Sequence, residues 1–312
     1  MICLREEHHQ VREMARKFAD EVLAPIARET DEKEEFPAEV VRQMGSLGFM
    51  GLPYPERYGG AGLDTLSYAI AVEEISRVCA STGITLAAHV SLGCGPVAAN
   101  GNEEQKLKFL TPMAKGEAIG AFGLTEPGAG SDAAGTKTRA EKVPGGWKVN
   151  GDKIYITNGS VAKYVTFTAV TEPGKGTDGI SAFIMDTATP GFRAGPREKK
   201  MGLRGSDTVA IYFEDCFVPD ENLLGDPRGG FKTFMRTLTG GRISIGAMAL
   251  GIARGAFESR GRLRQAAPPV QPADRELPGR CSSCSPTWPP RSRPRACSCT
   301  TPHCSGTPTS PT

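Results

Sequence analysis

The spacing of apolar residues changes twice along this 312-residue chain, and these changes constrain its fold more than any other feature. Up to residue 118, apolar residues recur every three or four positions, which is the period of a helix with one buried face. Over 119–219 they alternate, as they do in half-buried strands. From Gly230 to Phe257 the helical period returns. We therefore predict an α+β protein with an N-terminal helical domain, a middle antiparallel β-barrel domain and a truncated C-terminal helical domain.

The same pattern sets the predicted boundaries. The N-terminal helical domain is expected at 1–118, the β-barrel domain at 119–228 and the first helix of the C-terminal domain at 229–259. Residues 260–312 differ in composition, with eight Arg, no Lys, 11 of the 24 prolines and five of the nine cysteines. Such a segment has too few apolar residues to form a core, so it is predicted to be a disordered or frameshifted tail.

A Gly-rich segment at 122–132 follows a short apolar strand. Its glycines allow the backbone to approach a ligand closely, and the hydroxyls of Thr125 and Ser131 can both donate and accept hydrogen bonds. The segment could hold a ring edge, a phosphate or a carbonyl, or it could be an ordinary capping turn. A dinucleotide fingerprint at Gly128 and Gly130 is not expected, because alternating β-type sequence follows where that motif requires a helix.

The whole-chain balance of 37 basic and 35 acidic residues gives no reason to expect a nucleic-acid partner. The N-terminus lacks the apolar core of a signal peptide, and no membrane span is expected. Cys3, Cys79, Cys94 and Cys216 are widely separated, as reduced thiols usually are. The predicted location is the cytoplasm.

Five motifs in order give the chain a family resemblance. Residues 122–132, 155–159, 201–208, 213–219 and 240–242 together resemble the acyl-CoA dehydrogenase flavoenzymes. The resemblance covers most of the chain before the tail. It implies FAD as the cofactor, a fatty acyl-CoA as the substrate, an electron-transfer flavoprotein as the electron acceptor and a homotetramer as the assembly.

The resemblance also implies roles for residues of the Gly-rich segment. Phe122, Leu124 and Thr125 would lie along the isoalloxazine ring, with the Thr125 hydroxyl bonded near the nitrogen that accepts a hydride. Such a donor stabilises the charge that develops on the reduced ring. Gly130 and Ser131 would approach the cofactor phosphates and the acyl-CoA.

A second segment would cover the other side of the flavin through Tyr155, Ile156 and Thr157, although many family members have Trp in place of this tyrosine. Without the family, Tyr155 would be interpreted as a core residue of a strand. Arg242 would face phosphates of CoA or of the cofactor. Thr239 stands where the family often has an acidic residue.

The resemblance implies a glutamate that removes the α-proton of the substrate, but no residue of this chain matches that base. In most family members the glutamate lies in the C-terminal domain, and in a minority it immediately precedes the arginine, where this chain has Gly241. No catalytic residue is therefore assigned, and activity is expected to be impaired.

Three interpretations of residues 260–312 stay open. The first is a disordered extension. The second is a zinc site, for which the ligands would be Cys281, Cys284, Cys297, Cys299, His303 and Cys304. The third is a frameshift, because shifted readings of 265–279 and 281–302, with free choice of synonymous codons, encode amphipathic helices.

Three functions follow from these observations. The first is FAD-dependent dehydrogenation of an acyl-CoA, impaired by the missing base. The second is a non-catalytic remnant that binds acyl-CoA or a partner. The third is a related flavoprotein oxidase on the same fold.

Overall fold

The structure is a computed structural model that describes residues 4–266, with the backbone alone for 261–266. Cys3 and residues 267–312 lie outside the described residues. The hypotheses of a disordered extension, a zinc site and a frameshift fall almost wholly on that part of the chain.

Helices form the first and last parts of the described chain, as the apolar spacing predicts. Three stretches that join or extend these helices are π-helical, at Ala19–Leu23, Ala88–Cys94 and Lys106–Leu110. Between residues 4 and 266 the α-helices are α1 (Glu6–Phe18), α2 (Ala27–Lys33), α3 (Ala38–Ser46), α4 (Thr65–Val78), α5 (Ala80–Ala87), α6 (Gly95–Asn100), α7 (Glu103–Gln105), α8 (Thr111–Ala114) and α9 (Gly230–Ala266).

Two helix starts show why the boundaries fall where they do. The Asp64 carboxylate accepts a hydrogen bond from the Ser67 amide, which caps α4. Asn102 and Gln105 form a reciprocal capping box at the start of α7. The continuous helical stretch Ala80–Asn100 has the length and hydropathy of a membrane span, but 67% of its most apolar window is buried within the fold. That burial is typical of a central core helix.

The middle region is one curled sheet of seven strands, with β5 paired to β4 beside the main strand order β1-β4-β2-β3-β7-β6. The strands are β1 (Gly120–Gly123), β2 (Arg139–Val143), β3 (Gly146–Thr157), β4 (Tyr164–Val170), β5 (Ile180–Asp186), β6 (Phe192–Arg197) and β7 (Thr208–Pro219).

The prediction of an antiparallel barrel is wrong in two respects. The sheet is an open half-barrel, and β1 and β2 both run parallel to β4. Gly120 lies opposite Tyr164 and Arg139 opposite Val170, so β1 and β2 follow one another along the same edge of β4. The Gly-rich segment leaves the sheet between these two strands. Alternation in the sequence reports which face a residue occupies, not the direction of its neighbour.

Two cores meet at the sheet. On β5, Ala182 and Ile184 belong to the core of the helical layer, whereas Phe183 and Met185 belong to the core on the opposite face. The strand is therefore buried on both faces, which explains its continuous apolar sequence.

Helix α9 contacts α4 through its backbone. A Cβ atom on Gly251 would lie 2.2 Å from the carbonyl oxygen of Glu73, and one on Gly255 would lie 2.0 Å from that of Arg77. Arg254 pairs with Glu73 and also with the buried Glu74, at 2.9 Å. The helix continues to Ala266, seven residues beyond the predicted boundary at 259.

We expect Gly251→Ala to lower the free energy of unfolding by about 1–3 kcal/mol, because the new methyl group must push α9 away from α4. Gly246→Ala on the same helix is the matched control, since its Cβ would meet nothing within 4 Å. Alanine has a higher helix propensity than glycine, so Gly246→Ala should raise the free energy of unfolding by up to about 1 kcal/mol. Chemical denaturation of both variants tests this, and equal stabilities would contradict the close contact.

His89 holds the π-helical stretch Ala88–Cys94 against the start of the sheet. Its Nδ1 accepts a hydrogen bond from the Gly120 amide at 3.0 Å, so Nε2 carries the proton and donates to the Met113 carbonyl at 3.1 Å. Complete burial lowers the pKa of His89 from 6.5 to about 4, although the hydrogen bond that Nε2 donates to the Met113 carbonyl favours the protonated form. The imidazole is therefore neutral at pH 7.

This burial predicts acid sensitivity. Below pH 6.5 the unfolded chain binds a proton at His89, whereas the folded chain binds this proton only below about pH 4. Stability from this group is therefore complete above 6.5 and is lost as the pH falls towards 4. The loss between pH 7 and pH 5 should be about 2 kcal/mol. Denaturation of wild type and His89→Gln at both pH values measures this loss. Equal pH dependence of the free energy of unfolding in the two proteins would refute the role of His89.

Candidate active site

A cleft of about 340 Å³ lies where the Gly-rich segment, β3, the π-helical stretch Ala88–Cys94 and α9 meet. It brings together all eight residues predicted to bind the cofactor: Phe122, Leu124, Thr125, Gly130, Ser131, Tyr155, Ile156 and Thr157. The remaining lining residues are small or apolar: Ala88, Leu92, Ala133, Met235 and Leu238.

The Gly-rich segment forms one wall. The side chain of Thr125 is half-buried, while Gly130 and Ser131 are exposed. A Cβ atom on Gly130 would meet nothing within 4 Å, and the backbone there is not in the left-handed region. Neither internal packing nor backbone conformation requires glycine at this position. The open space beside it is available to a ligand.

Strand β3 forms the opposite wall, and a β-bulge turns it towards the cleft. Lys153 pairs with Ile211 and Ile156 with Val209, so β3 has one residue more than β7 in this interval. Tyr155 lies in this bulge with a φ of +58°, which is unusual for an aromatic residue. Its side chain is 63% exposed and borders the cleft, so it is not the core residue that strand sequence alone suggests.

The inner end of the cleft is apolar. Phe122 on β1 stacks on Phe234 of α9 with ring centroids 4.2 Å apart and an interplanar angle of 23°. Met235 and Leu238 follow Phe234 and continue this surface along α9. The cleft therefore offers an apolar interior.

Three hydroxyl groups border this interior. Within the described part of the chain, the side chains of Thr125, Ser131 and Thr157 make no hydrogen bond. Their donors and acceptors are free for a ligand, so the cleft combines an apolar floor with hydrogen-bonding edges. This combination is typical of small-molecule sites.

A buried ion pair that the apolar pattern did not predict joins the Gly-rich segment to β3. The ammonium of Lys153 lies 2.6 Å from the carboxylate of Glu126, and the two side chains are 0% and 5% exposed. Burial lowers the pKa of Lys153 to about 8 against the attraction of Glu126. Burial raises the pKa of Glu126, but the attraction of Lys153 and several donors outweigh it and leave the pKa at about 2. A lysine in an alternating strand usually faces water, so the pattern carried no signal for this pair.

Arg242 is not among the residues that line the cleft. It is exposed on α9, one turn after Leu238, and it has no ion pair with any residue that the structure describes. Gly241 is buried beside Leu92. None of the described residues that line the cleft carries a carboxylate.

A separate group of potential metal ligands consists of Glu7, His8 and Asp64. Contacts with Arg5 and with one another account for their proximity. Arg5 pairs with both carboxylates, and His8 Nε2 donates to Asp64 at 3.0 Å. The Arg5 cation thus balances the charge of the carboxylates that a metal ion would otherwise need.

Comparison with known proteins agrees with this architecture. Residues 5–117 match the acyl-CoA dehydrogenase N-terminal domain, and residues 121–216 match the acyl-CoA dehydrogenase middle domain. A short-chain specific acyl-CoA dehydrogenase of Clostridium acetobutylicum is 51% identical over 263 residues, which are 84% of this chain and 69% of the relative. The chain thus spans about two thirds of the length of this curated relative.

Solved structures share the fold. Butyryl-CoA dehydrogenase from Megasphaera elsdenii is 42% identical with a TM-score of 0.84, covering 87% of this chain and 72% of that one. A chain solved in work on the electron-transferring flavoprotein of Acidaminococcus fermentans is 47% identical with a TM-score of 0.85, covering 86% and 70%. The two matched domains and this level of identity show that the chain belongs to the acyl-CoA dehydrogenase family.

Proposed function

We propose that this chain binds FAD in the cleft and is built for flavin-dependent α,β-dehydrogenation of an acyl-CoA thioester. The observation that carries the proposal is the meeting of all eight predicted cofactor-binding residues around one cleft. They come from two segments separated by more than 20 residues, so their convergence is not a consequence of sequence proximity.

The residues present fit the ring end of a flavin. Phe122, Leu124 and Ile156 offer apolar contacts to a planar ring, and the free hydroxyls of Thr125 and Thr157 offer hydrogen bonds at its edge. The exposed backbone at Gly130 leaves room for phosphates. The cleft volume of about 340 Å³ suits the isoalloxazine ring alone. The remainder of the cofactor would therefore extend along the exposed surface.

When bound, FAD supplies a hydride acceptor for the β-carbon of the acyl group. The protein residues orient the reactants. Thr125 would donate a hydrogen bond to the ring, and Tyr155 would shield the ring from water. Arg242 would pair with a phosphate of CoA, because an exposed guanidinium without an ion pair among the described residues suits that anion.

We expect Thr125→Val to weaken FAD binding by about fivefold, or to lower the flavin reduction potential, because a neutral hydrogen bond is worth about 1 kcal/mol. Valine keeps the shape of the side chain. Fluorescence titration with FAD and potentiometry measure the effects, and Thr177→Val, an exposed threonine outside the cleft, is the control. Unchanged affinity and potential in Thr125→Val would overturn the assignment.

We further propose that the described cleft residues supply no proton acceptor, so that catalysis by these residues alone is impaired. A positioned base typically contributes about 10²- to 10⁴-fold to the rate, and the described cleft has no carboxylate. A chain that binds acyl-CoA without oxidising it is therefore the second candidate function. The missing carboxylate is the specific observation that favours it.

A gain-of-function variant separates these two functions. We expect the FAD-loaded chain to bind butyryl-CoA without bleaching the flavin, and Gly241→Glu to restore measurable bleaching. The residue before Arg242 borders Leu92 of the cleft, 3.1 Å from the position of a new Cβ. Gly241→Gln is the matched control without a base. Rapid oxidation by the wild-type chain would show that a base is present and would refute the impairment.

The remaining assignments are part of the same proposal. A short-chain acyl-CoA is the proposed substrate, because the relatives named above include short-chain and butyryl-CoA dehydrogenases. An electron-transferring flavoprotein is the proposed electron acceptor, supported by the solved chain from Acidaminococcus fermentans. The cytoplasm is the proposed location and a homotetramer the proposed assembly. The free thiols of Cys79, Cys94 and Cys216 agree with a reducing compartment.

A further inference from the structure

The Lys153 side chain contacts the Gly-rich segment on both sides of Thr125. Its ammonium lies 3.4 Å from the Leu124 carbonyl oxygen and 2.6 Å from the Glu126 carboxylate. The next residue of β3 binds the threonine itself, because the Ile154 amide donates to the Thr125 carbonyl at 2.8 Å. Three consecutive residues of the segment are thus held by two consecutive residues of β3.

Glu126, near the start of the Gly-rich segment, binds residues that follow the end of the segment. Its carboxylate accepts hydrogen bonds from the Lys137 and Thr138 amides and from the Thr136 hydroxyl. These donors lie on the chain as it enters β2, so the residues between 127 and 135 form a loop that is closed at its base. Gly130 and Ser131 lie within that loop. One carboxylate therefore fixes the loop, and one ammonium fixes the carboxylate to β3.

The same strand then enters the opposite wall of the cleft. Tyr155 follows Lys153 by two residues, and the bulge between Lys153 and Ile156 aims its ring at the cleft. The spacing between the wall that carries Thr125 and the wall that carries Tyr155 is consequently set at Lys153. A shift of this side chain would change the separation of Thr125 and Tyr155.

Stability alone gives little reason for an ion pair here. Removing two charges from water costs several kcal/mol, and apolar replacements of similar volume are often as stable. Lys153 also contacts the hydroxyls of Thr136 and Thr168, at 3.2 and 3.3 Å, so its three N–H donors have four oxygen atoms within hydrogen-bond distance. Directional contacts fix a position in a way that apolar packing does not.

We propose that Lys153 and Glu126 are positioning residues that hold the Gly-rich segment against β3 and so set the width of the cofactor cleft. The inference rests on the proposed function for the identity of the ligand, but the geometry it describes exists without a ligand. The two parts can therefore be tested separately.

The first test uses the full-length chain without added cofactor. Amide hydrogen exchange is measured at Ile154, Lys137 and Thr138 in wild type and Lys153→Met. We expect exchange at these amides to become at least tenfold faster in the variant. Val149→Ala, which removes buried bulk from the same strand, is the control for a general loss of stability. Equal acceleration in Lys153→Met and Val149→Ala would overturn the proposal.

The second test measures FAD affinity and coupling between residues. We expect Lys153→Met to weaken FAD binding at least tenfold and Val149→Ala to weaken it less than threefold. Thr125→Val should add less than twofold in the Lys153→Met background, compared with about fivefold in wild type, because Lys153 acts through Thr125. Additive effects would refute the positioning role. Absence of FAD binding by wild type would refute the proposed function, and the exchange test would still decide on positioning.

A double variant keeps both tests interpretable if Lys153→Met fails to fold. Glu126→Gln/Lys153→Met leaves no uncompensated buried charge, so its denaturant midpoint of unfolding should be near that of wild type. We expect it to keep the tenfold loss of FAD affinity and the fast exchange at Lys137 and Thr138. Wild-type affinity and exchange in this variant would show that the ion pair does not position the segment.

Discussion

Close contact between two backbones holds the helical layer on the sheet, and the cleft depends on it. A Cβ atom on Gly93 would lie 2.7 Å from the carbonyl carbon of Gly120, so no side chain fits between the π-helical stretch and β1. His89 bridges the same junction through the Gly120 amide. Because the two elements touch here, Ala88 and Leu92 reach the cleft that begins at Phe122. A larger spacing would separate the helical wall of the cleft from the sheet.

The π-helical conformation of this stretch is stabilised by hydroxyl groups of Tyr54 in a preceding loop, of Tyr68 on α4 and of Ser91 within the stretch itself. A wider helical turn leaves carbonyl groups without regular partners, and these are taken up by hydroxyls. Tyr54 donates to the Val90 carbonyl, while Tyr68 and Ser91 both donate to the Ala87 carbonyl. Tertiary contacts of Tyr54 and Tyr68 therefore help to fix the stretch that carries Ala88 and Leu92. Irregular backbone at Ala88–Cys94 and at Tyr155 lies on two different walls of one site, as is common where a protein positions a ligand.

The apolar period of the sequence predicted most of the elements, because it reports directly which face of a helix or strand is buried. It predicted the strands around Phe167 and Ile184 and the helix that begins at Gly230, and the motif order predicted which residues would share a cleft. It could not show that β1 runs parallel to β4, since both directions give the same alternation. It also could not show that Lys153 is buried, because its burial depends on Glu126, 27 residues earlier.

Helix α9 has two faces with different consequences. Gly251, Gly255 and Arg254 fix one face to α4, and Met235 and Leu238 on the same helix border the cleft. The other face carries Ile243, Leu250 and Phe257 at intervals of seven residues, and these side chains are 52%, 52% and 57% exposed.

A seven-residue apolar interval on a helix is typical of packing against another helix, and burying each such side chain contributes roughly 1.5–3 kcal/mol. That energy would add to the stability of α9 without moving the residues that line the cleft, because Phe234, next to Met235, is already stacked on Phe122. Formation of the cleft and covering of the outer face of α9 are therefore separable properties of this fold.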